Sequence, residues 1–217
     1  MPVDTATKRV SPRRRQLLDA ALRVVADDGL RGLTHRAVDR RAGLPEGSCS
    51  AYLRTRRALQ TALTEHVVGA LADDVTALAE QLRGCSGDSD RAVELTTGLF
   101  ARWLDEPELL RAKLELTLEG PRDAELAALL TASRAQLVGV VAGIMNAADP
   151  AQGDARAETL CASFDGILLA GLSKPEAERR DFLARSLGLL MGSLAGTSGR
   201  DGDVTNASSP GHPQRLG

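Results

Sequence analysis

Residues 34–59, THRAVDRRAGLPEGSCSAYLRTRRAL, constrain the fold more than any other stretch, because they carry the start and stop signals of two short helices around a tight turn. Thr34 caps a first helix through its hydroxyl, and Val38 and Ala42 then fall four residues apart on one apolar face. Gly43 stands where that helix must end in a left-handed residue, a conformation glycine adopts without a Cβ penalty. Leu44 plugs the turn, and Pro45 suits the first turn of the next helix. The polar segment from Glu46 to Tyr52, followed by Leu53, is too short for a core element. Its Gly47, Ser48, Cys49 and Ser50 are compact enough to approach another surface closely. Helix, tight turn and short exposed helix form the layout of a helix-turn-helix DNA reader.

The flanks extend this unit. Arg13 to Asp28 carries Leu17, Leu18, Ala21, Leu22, Val24 and Val25 at helical period, and Gly29 closes the run. Leu30 and Leu33 are placed to pack beneath the two-helix unit. Downstream, Thr55 caps a helix whose Leu59, Leu63, Val67, Leu71, Val75 and Leu78 recur every three or four residues to about Arg83, roughly 40 Å of helix. Residues 1–60 hold 13 of the 27 Lys and Arg but only 6 of the 29 Asp and Glu. A basic head on an acidic body turns one end of the molecule towards a polyanion.

Aromatic residues make up 2% of the 217 residues, so the core must be built from Leu, Ala and Val, which favours helices. From about Ser89 the pattern is helical throughout. One helix carries Leu95, Leu99, Phe100, Trp103 and Leu104; after Pro107 another carries Leu109, Leu110, Leu114, Leu116 and Leu118. Gly120 and Pro121 break the chain, and a long helix follows from Ala124 to Ala148. A loop at 149–153 leads to Ala155–Leu172, and Pro175 starts a last helix to about Leu194. The tail beyond 195 has a disordered composition. No run of some 18 apolar residues and no leader segment is found, so no membrane partner and a cytoplasmic location are expected. Cys49, Cys85 and Cys161 form no C-x-x-C pair. His35, His66 and His212 are scattered, and no catalytic, metal or cofactor constellation is present, so an enzyme is not expected.

The ordered motif G-L-x-x-L-T-x-R-A-V-x-x-x-A-G-L-P-x-G-S-x-S-x-Y-x-x-T-R-x-A-L within residues 13–69, about a quarter of the chain, resembles the DNA-binding domain of the tetracycline-repressor (TetR) family of bacterial regulators. It departs at Leu53, where the family usually has Phe, at Ser50, where many members carry a phosphate-binding Tyr, and at Cys49, which sits inside the recognition helix. The resemblance implies an all-α fold of about nine helices. Its parts are a basic arm over 1–12, a helix-turn-helix domain over 13–55, a ligand-binding and dimerisation bundle over 56–195, and a tail over 196–217. It implies a homodimer bound to a palindromic double-stranded operator and released by a small-molecule effector.

The expected DNA-contacting residues are Thr34, Arg36, Gly47, Ser48, Tyr52, Arg54, Thr55 and Arg56 for phosphates, with Tyr52 fitting equally an aromatic plug beneath the short helix. Glu46, Ser48, Cys49, Ser50 and Ala51 are expected to face base edges. His35 fits either a phosphate contact or an exposed cap-side position. Lys8, Arg9, Arg13, Arg14 and Arg15 fit either a minor-groove arm or a merely basic tail. Cys161 is expected to be a buried inert thiol; Cys49, near Arg residues and a helix end, fits either a plain base-edge contact or an acidified, oxidisable thiol. The family's pocket implies Leu99, Trp103, Leu114, Leu118, Leu137 and Val141 as lining, an aliphatic set suited to an apolar or amphipathic effector. For the dimer, Phe164, Ile167, Leu168, Phe182, Leu187, Leu190 and Met191 are expected at the interface, beside small residues that permit close helix approach. Two other functions fit the same residues: a constitutive DNA-binding regulator with a solid body, and a helical interaction protein that has abandoned DNA.

Overall fold

Side-chain caps lay out the helices. In the computed structural model, which describes residues 11–84, 88–146 and 153–196, the Ser11 hydroxyl accepts the Arg14 N–H at 3.2 Å and Pro12 opens α1, Pro12–Gly32. Inside it, Gly29 has φ 69° and ψ 177°, a region open in practice to glycine alone; the helix breaks there and resumes for one turn. Thr34 and Thr55 accept the N–H groups of Ala37 and Ala58 and start α2, His35–Ala42, and α4, Arg56–Arg83. Between them lies α3, Ser48–Tyr52. With 28 residues, α4 is about 42 Å long.

The body follows as α5, Ser89–Asp105, and α6, Glu108–Glu119. A 3-10 turn, Gly120–Arg122, leads to α7, Ala124–Asn146, and then to α8, Gly153–Leu172, and α9, Glu176–Gly196. Among the described residues there are thus nine α-helices and no strand, the class and count expected. Arg13, Arg14 and Arg15 belong to the first turn of α1. Lys8, Arg9, Cys85, His212, the connection 147–152 and the tail from 197 lie outside the described residues.

Three apolar clusters organise the packing. The first gathers Leu17, Leu33, Val38, Cys49, Leu59, Leu63 and Val67 and takes in Ala112 and Leu116 of α6 and Leu126 of α7. The second joins Leu99, Phe100, Trp103 and Leu104 of α5 to Leu168 of α8 and to Leu183 and Leu187 of α9. The third holds Val141 and Ala142 of α7 against Ala157, Leu160 and Cys161 of α8. Leu71 and Leu109 touch both the first and the second. The core of residues 11–67 is therefore continuous with the body.

One expectation about α7 needs correction. Ala124–Met145 reaches a mean hydropathy of 1.5 and is long and apolar enough to cross a membrane by length and composition, with 11% of that window buried. Glu125, Arg134 and Gln136 interrupt the apolar run, which is why a search for unbroken apolar sequence passes over it. In this chain α7 lies along α4 and α8, with Leu126 in the first cluster and Val141 in the third.

The kink at Gly29 is also a contact point, since a Cβ there would sit 3.1 Å from the Glu115 Oε2 of α6. Gly29→Ala is expected to cost about 1–3 kcal/mol and to lower the thermal midpoint; an unchanged midpoint would show that the backbone can relax at no cost.

Candidate nucleic-acid interface

Asp39 builds this surface. Its carboxylate is 1% exposed and accepts two N–H groups from the start of α3, Gly47 at 2.8 Å and Cys49 at 2.7 Å. A helix leaves these groups without internal partners, and hydrogen bonds to a charged acceptor contribute about 1.5–3 kcal/mol each. The Ser48 N–H turns to the Pro45 carbonyl at 3.2 Å. At the other end of α3, His35 Nε2 donates to the Leu53 carbonyl at 2.5 Å; since a carbonyl only accepts, that nitrogen carries the hydrogen. Gly43, with φ 68°, turns the chain between the two helices, and its neighbour Leu44 donates to the Asp39 carbonyl at 2.9 Å.

These contacts revise several sequence expectations. Gly47 and Ser48 do not offer free N–H groups to a phosphate, because Asp39 and Pro45 already take them. His35 is tied to Leu53. Cys49 does not face bases: its side chain is fully buried in the first cluster. Burial, and then the Asp39 charge, push its thiol up from 9.0 to about 11, the opposite of an acidified, redox-sensitive cysteine. Cys161 is buried as expected, and burial raises its thiol too. Sequence reasoning passed over Asp39, although a signal was present: it is the sole acid between Asp28 and Glu46, set among arginines.

What remains outward is a side face. Ala51 is exposed and Tyr52 is 48% exposed. Ser48 and Ser50 are half-buried, with hydroxyls donating to Pro45 and Gly47 carbonyls at 2.7 and 3.0 Å. Arg36 and Glu46 pair with each other at 3.2 Å, both well exposed, where such a bridge adds little stability. Thr34 and Thr55 serve as helix caps. Arg54 is exposed and has no partner among the described residues. Arg56 donates to the Leu30 carbonyl at 2.9 Å, so its guanidinium braces the domain.

In the body, the six residues expected around one pocket are dispersed. Leu99 and Trp103 lie in the second cluster, and Leu137 and Val141 belong to the third. Leu114 is half-buried, whereas Leu118 is 67% exposed because it lies round the helix from buried Leu116. Two open clefts of about 480 and 420 Å³ flank α5, and of the six only Leu99 lines either. Among the expected interface residues, Leu168 and Leu187 are buried within the protomer. Phe164 stands edge-on to Phe100 at 5.2 Å, and Ile167, Phe182, Leu190 and Met191 are half-buried against the same clusters. Among the described residues, the large apolar side chains that these two helices expose are Leu169 and Leu189, which the sequence reading did not single out.

Residues 87–203 match the family described as tetracyclin repressor-like, C-terminal domain. The chain is 28% identical over 158 residues to the HTH-type transcriptional regulator BetI of Rhizobium meliloti, an alignment spanning 72% of this chain and 76% of that one. Its fold is similar to a transcriptional regulator from Rhodococcus sp. Rha1, with TM-score 0.69 and 21% identity over 87% of this chain and 97% of the other. It is also similar to the multidrug binding protein EbrR, solved with imidazole, with TM-score 0.55 and 25% identity over 80% and 94% of the two chains.

Removing the Asp39 carboxylate strands two N–H groups. Asp39→Ala is expected to destabilise the protein by about 3 kcal/mol and Asp39→Asn, which keeps one accepting oxygen, by about half of that; denaturant unfolding checks both, and equal loss in the two variants would contradict this division.

Proposed function

Since the chain belongs to the tetracycline-repressor (TetR) family of transcriptional regulators, we propose that it is a homodimeric repressor that binds a palindromic operator and leaves it when a small apolar or amphipathic molecule binds the body. The observation that carries this is α3 itself, pinned at both ends and buried on one side through Cys49, with Ala51 and Tyr52 outward on the basic end of the chain. A five-residue helix reads few bases, and two of them about one helical turn of DNA apart read a palindrome. Tyr52, Arg54 and the capped start of α4 take phosphates; Ser48, Ser50 and Ala51 face base edges, and Ala51 suits a thymine methyl. Such a regulator works where the DNA is, in the cytoplasm, and acts by binding rather than by catalysis.

The second copy covers the outer face of α8 and α9. Leu169 and Leu189 are 54% and 78% exposed, and open space surrounds the Cβ positions of Gly166, Gly188 and Gly192, which lets a facing helix come close. By contrast, a Cβ on Gly171 would lie 2.6 Å from Leu104; that glycine serves packing within the protomer.

Several contacts support coupling between body and operator. Glu115 of α6 accepts the Leu30 N–H at 3.1 Å, and Arg57 of α4 pairs with Asp123 and Glu125 at the start of α7, each at 3.5 Å. The backbone N–H of Leu126 and then the Arg57 charge hold the Asp123 carboxyl below its usual range. A shift of α6 or α4 reaches the DNA-binding helices through these contacts, and couplings of this kind change affinity about 5- to 150-fold. The description of EbrR as a multidrug binding protein supports a small-molecule effector. The dispersal of the six expected lining residues favours a second reading, a constitutive regulator; a thermal-shift screen run beside operator binding separates the two, because the second reading expects no stabilising compound.

The charge pair L169E/L189E is expected to make the protein monomeric by light scattering and to abolish operator binding while helix content stays the same; a dimer that survives both charges overturns the interface. Arg54→Ala is expected to weaken binding similarly on all DNA sequences and to reduce the salt slope by about 1, read by anisotropy on duplexes selected from random DNA.

A further inference from the structure

The smaller cleft lies where α4, α5 and Arg180 of α9 meet, with a volume of about 420 Å³, within the roughly 300–1,000 Å³ of small-molecule sites. Its charges are unevenly matched. Arg91 bonds Glu94 at 2.6 Å. Asp74 accepts the Trp103 indole N–H at 2.7 Å, and Arg102 reaches the same carboxylate only at 3.4 Å. Arg180 has no partner among the described residues. Two guanidiniums, one loosely held and one unpaired, thus come from α5 and α9 on the rim of one depression. They lie in a body where acidic residues outnumber basic ones, so the cleft reverses the local sign. The same cleft is lined by Leu78 and Leu95, both half-buried, and by buried Leu99. Gly98 leaves the floor open, since a Cβ there meets nothing within 4 Å.

We propose that this cleft binds a small amphipathic carboxylate, its head taken by Arg102 and Arg180 and its short apolar chain laid over Leu78, Leu95 and Leu99. Planar guanidinium forks match a carboxylate with two parallel hydrogen bonds, and the leucines supply the apolar contact that a bare anion lacks. The inference narrows the apolar or amphipathic effector expected from the aliphatic residues to one with an anionic head, and it rests on the effector reading above only for its consequence at the operator. That consequence has a route: Asp74 and Leu78 lie on α4, the helix whose first turn begins at the cap Thr55.

Trp103 is the sole tryptophan of the chain and is one hydrogen bond from the cleft through Asp74, so its fluorescence reports occupancy. The full-length protein is titrated with octanoate, and in parallel with octylamine and octanol. Octanoate is expected to change the emission saturably and to raise the thermal midpoint, whereas octylamine and octanol do neither. R102A/R180A should weaken the octanoate response at least about tenfold. Gly98→Leu fills the floor without touching a charge, and leucine is the better helix former, so this variant should fold normally and lose the response. No saturable change in the wild-type protein, an equal response to octylamine, or an unaltered response in both variants overturns the site. Operator anisotropy is read in the same titration: release by about 5- to 150-fold supports the site as the effector seat. An occupied cleft with unchanged operator affinity leaves the site standing and removes only its role as the effector seat.

Discussion

A five-residue helix does not hold itself together in water, because its nucleation cost is spread over too few hydrogen bonds. The reading surface therefore depends on the Asp39 carboxylate, which reaches from α2 to the Gly47 and Cys49 N–H groups. That bond sets the angle between α2 and α3, drops the Cys49 side chain into the core and leaves the opposite side of α3 outward. It also has an electrostatic consequence. The end of α3 that would attract a phosphate already holds an anion, and what stays outward is the side of the helix and its flanks. The same carboxylate, added to burial, keeps the Cys49 thiol protonated.

The DNA-binding helices and the body are joined by packing as well as by chain. The Leu30 peptide is held from two directions, its N–H by Glu115 and its carbonyl by Arg56. Two residues before Glu115, on the other side of α6, Lys113 pairs with Asp165 of α8, and Arg134 of α7 reaches that same carboxylate at 2.7 Å. Residues two apart point to opposite sides of a helix, so α6 lies between α8 and the kink in α1. With Ala112 and Leu116 in the first cluster, α6 cannot move without disturbing the base of the reading surface. The two ends of the molecule are held together through these contacts.

Helix boundaries were legible because their causes are local. Thr34, Gly43 and Thr55 act on groups within four residues of themselves, and α4 accordingly begins and ends where capping and period place it. The basic character of the first 60 residues is likewise a property of sequence alone. Side-chain destinations were less legible. Cys49 looked outward because its neighbours are small and polar, yet on so short a helix one residue in the middle must anchor the rest. Leu118 looked inward because it is a leucine among leucines, and α6 turns it to solvent.

The chain's own sequence determined the all-α class, the order and extent of the helices, and the helix-turn-helix at its basic end, since periodicity and capping act over a few residues. Only the tertiary structure decided which partner each exposed-looking group had already taken: Asp39 for α3, Leu30 for Arg56, and the protomer core for Leu168 and Leu187 in place of their neighbours Leu169 and Leu189. The hydrogen bonds among those choices join residues from 8 to 26 positions apart in the chain, and local pattern carries no record of what meets across such distances.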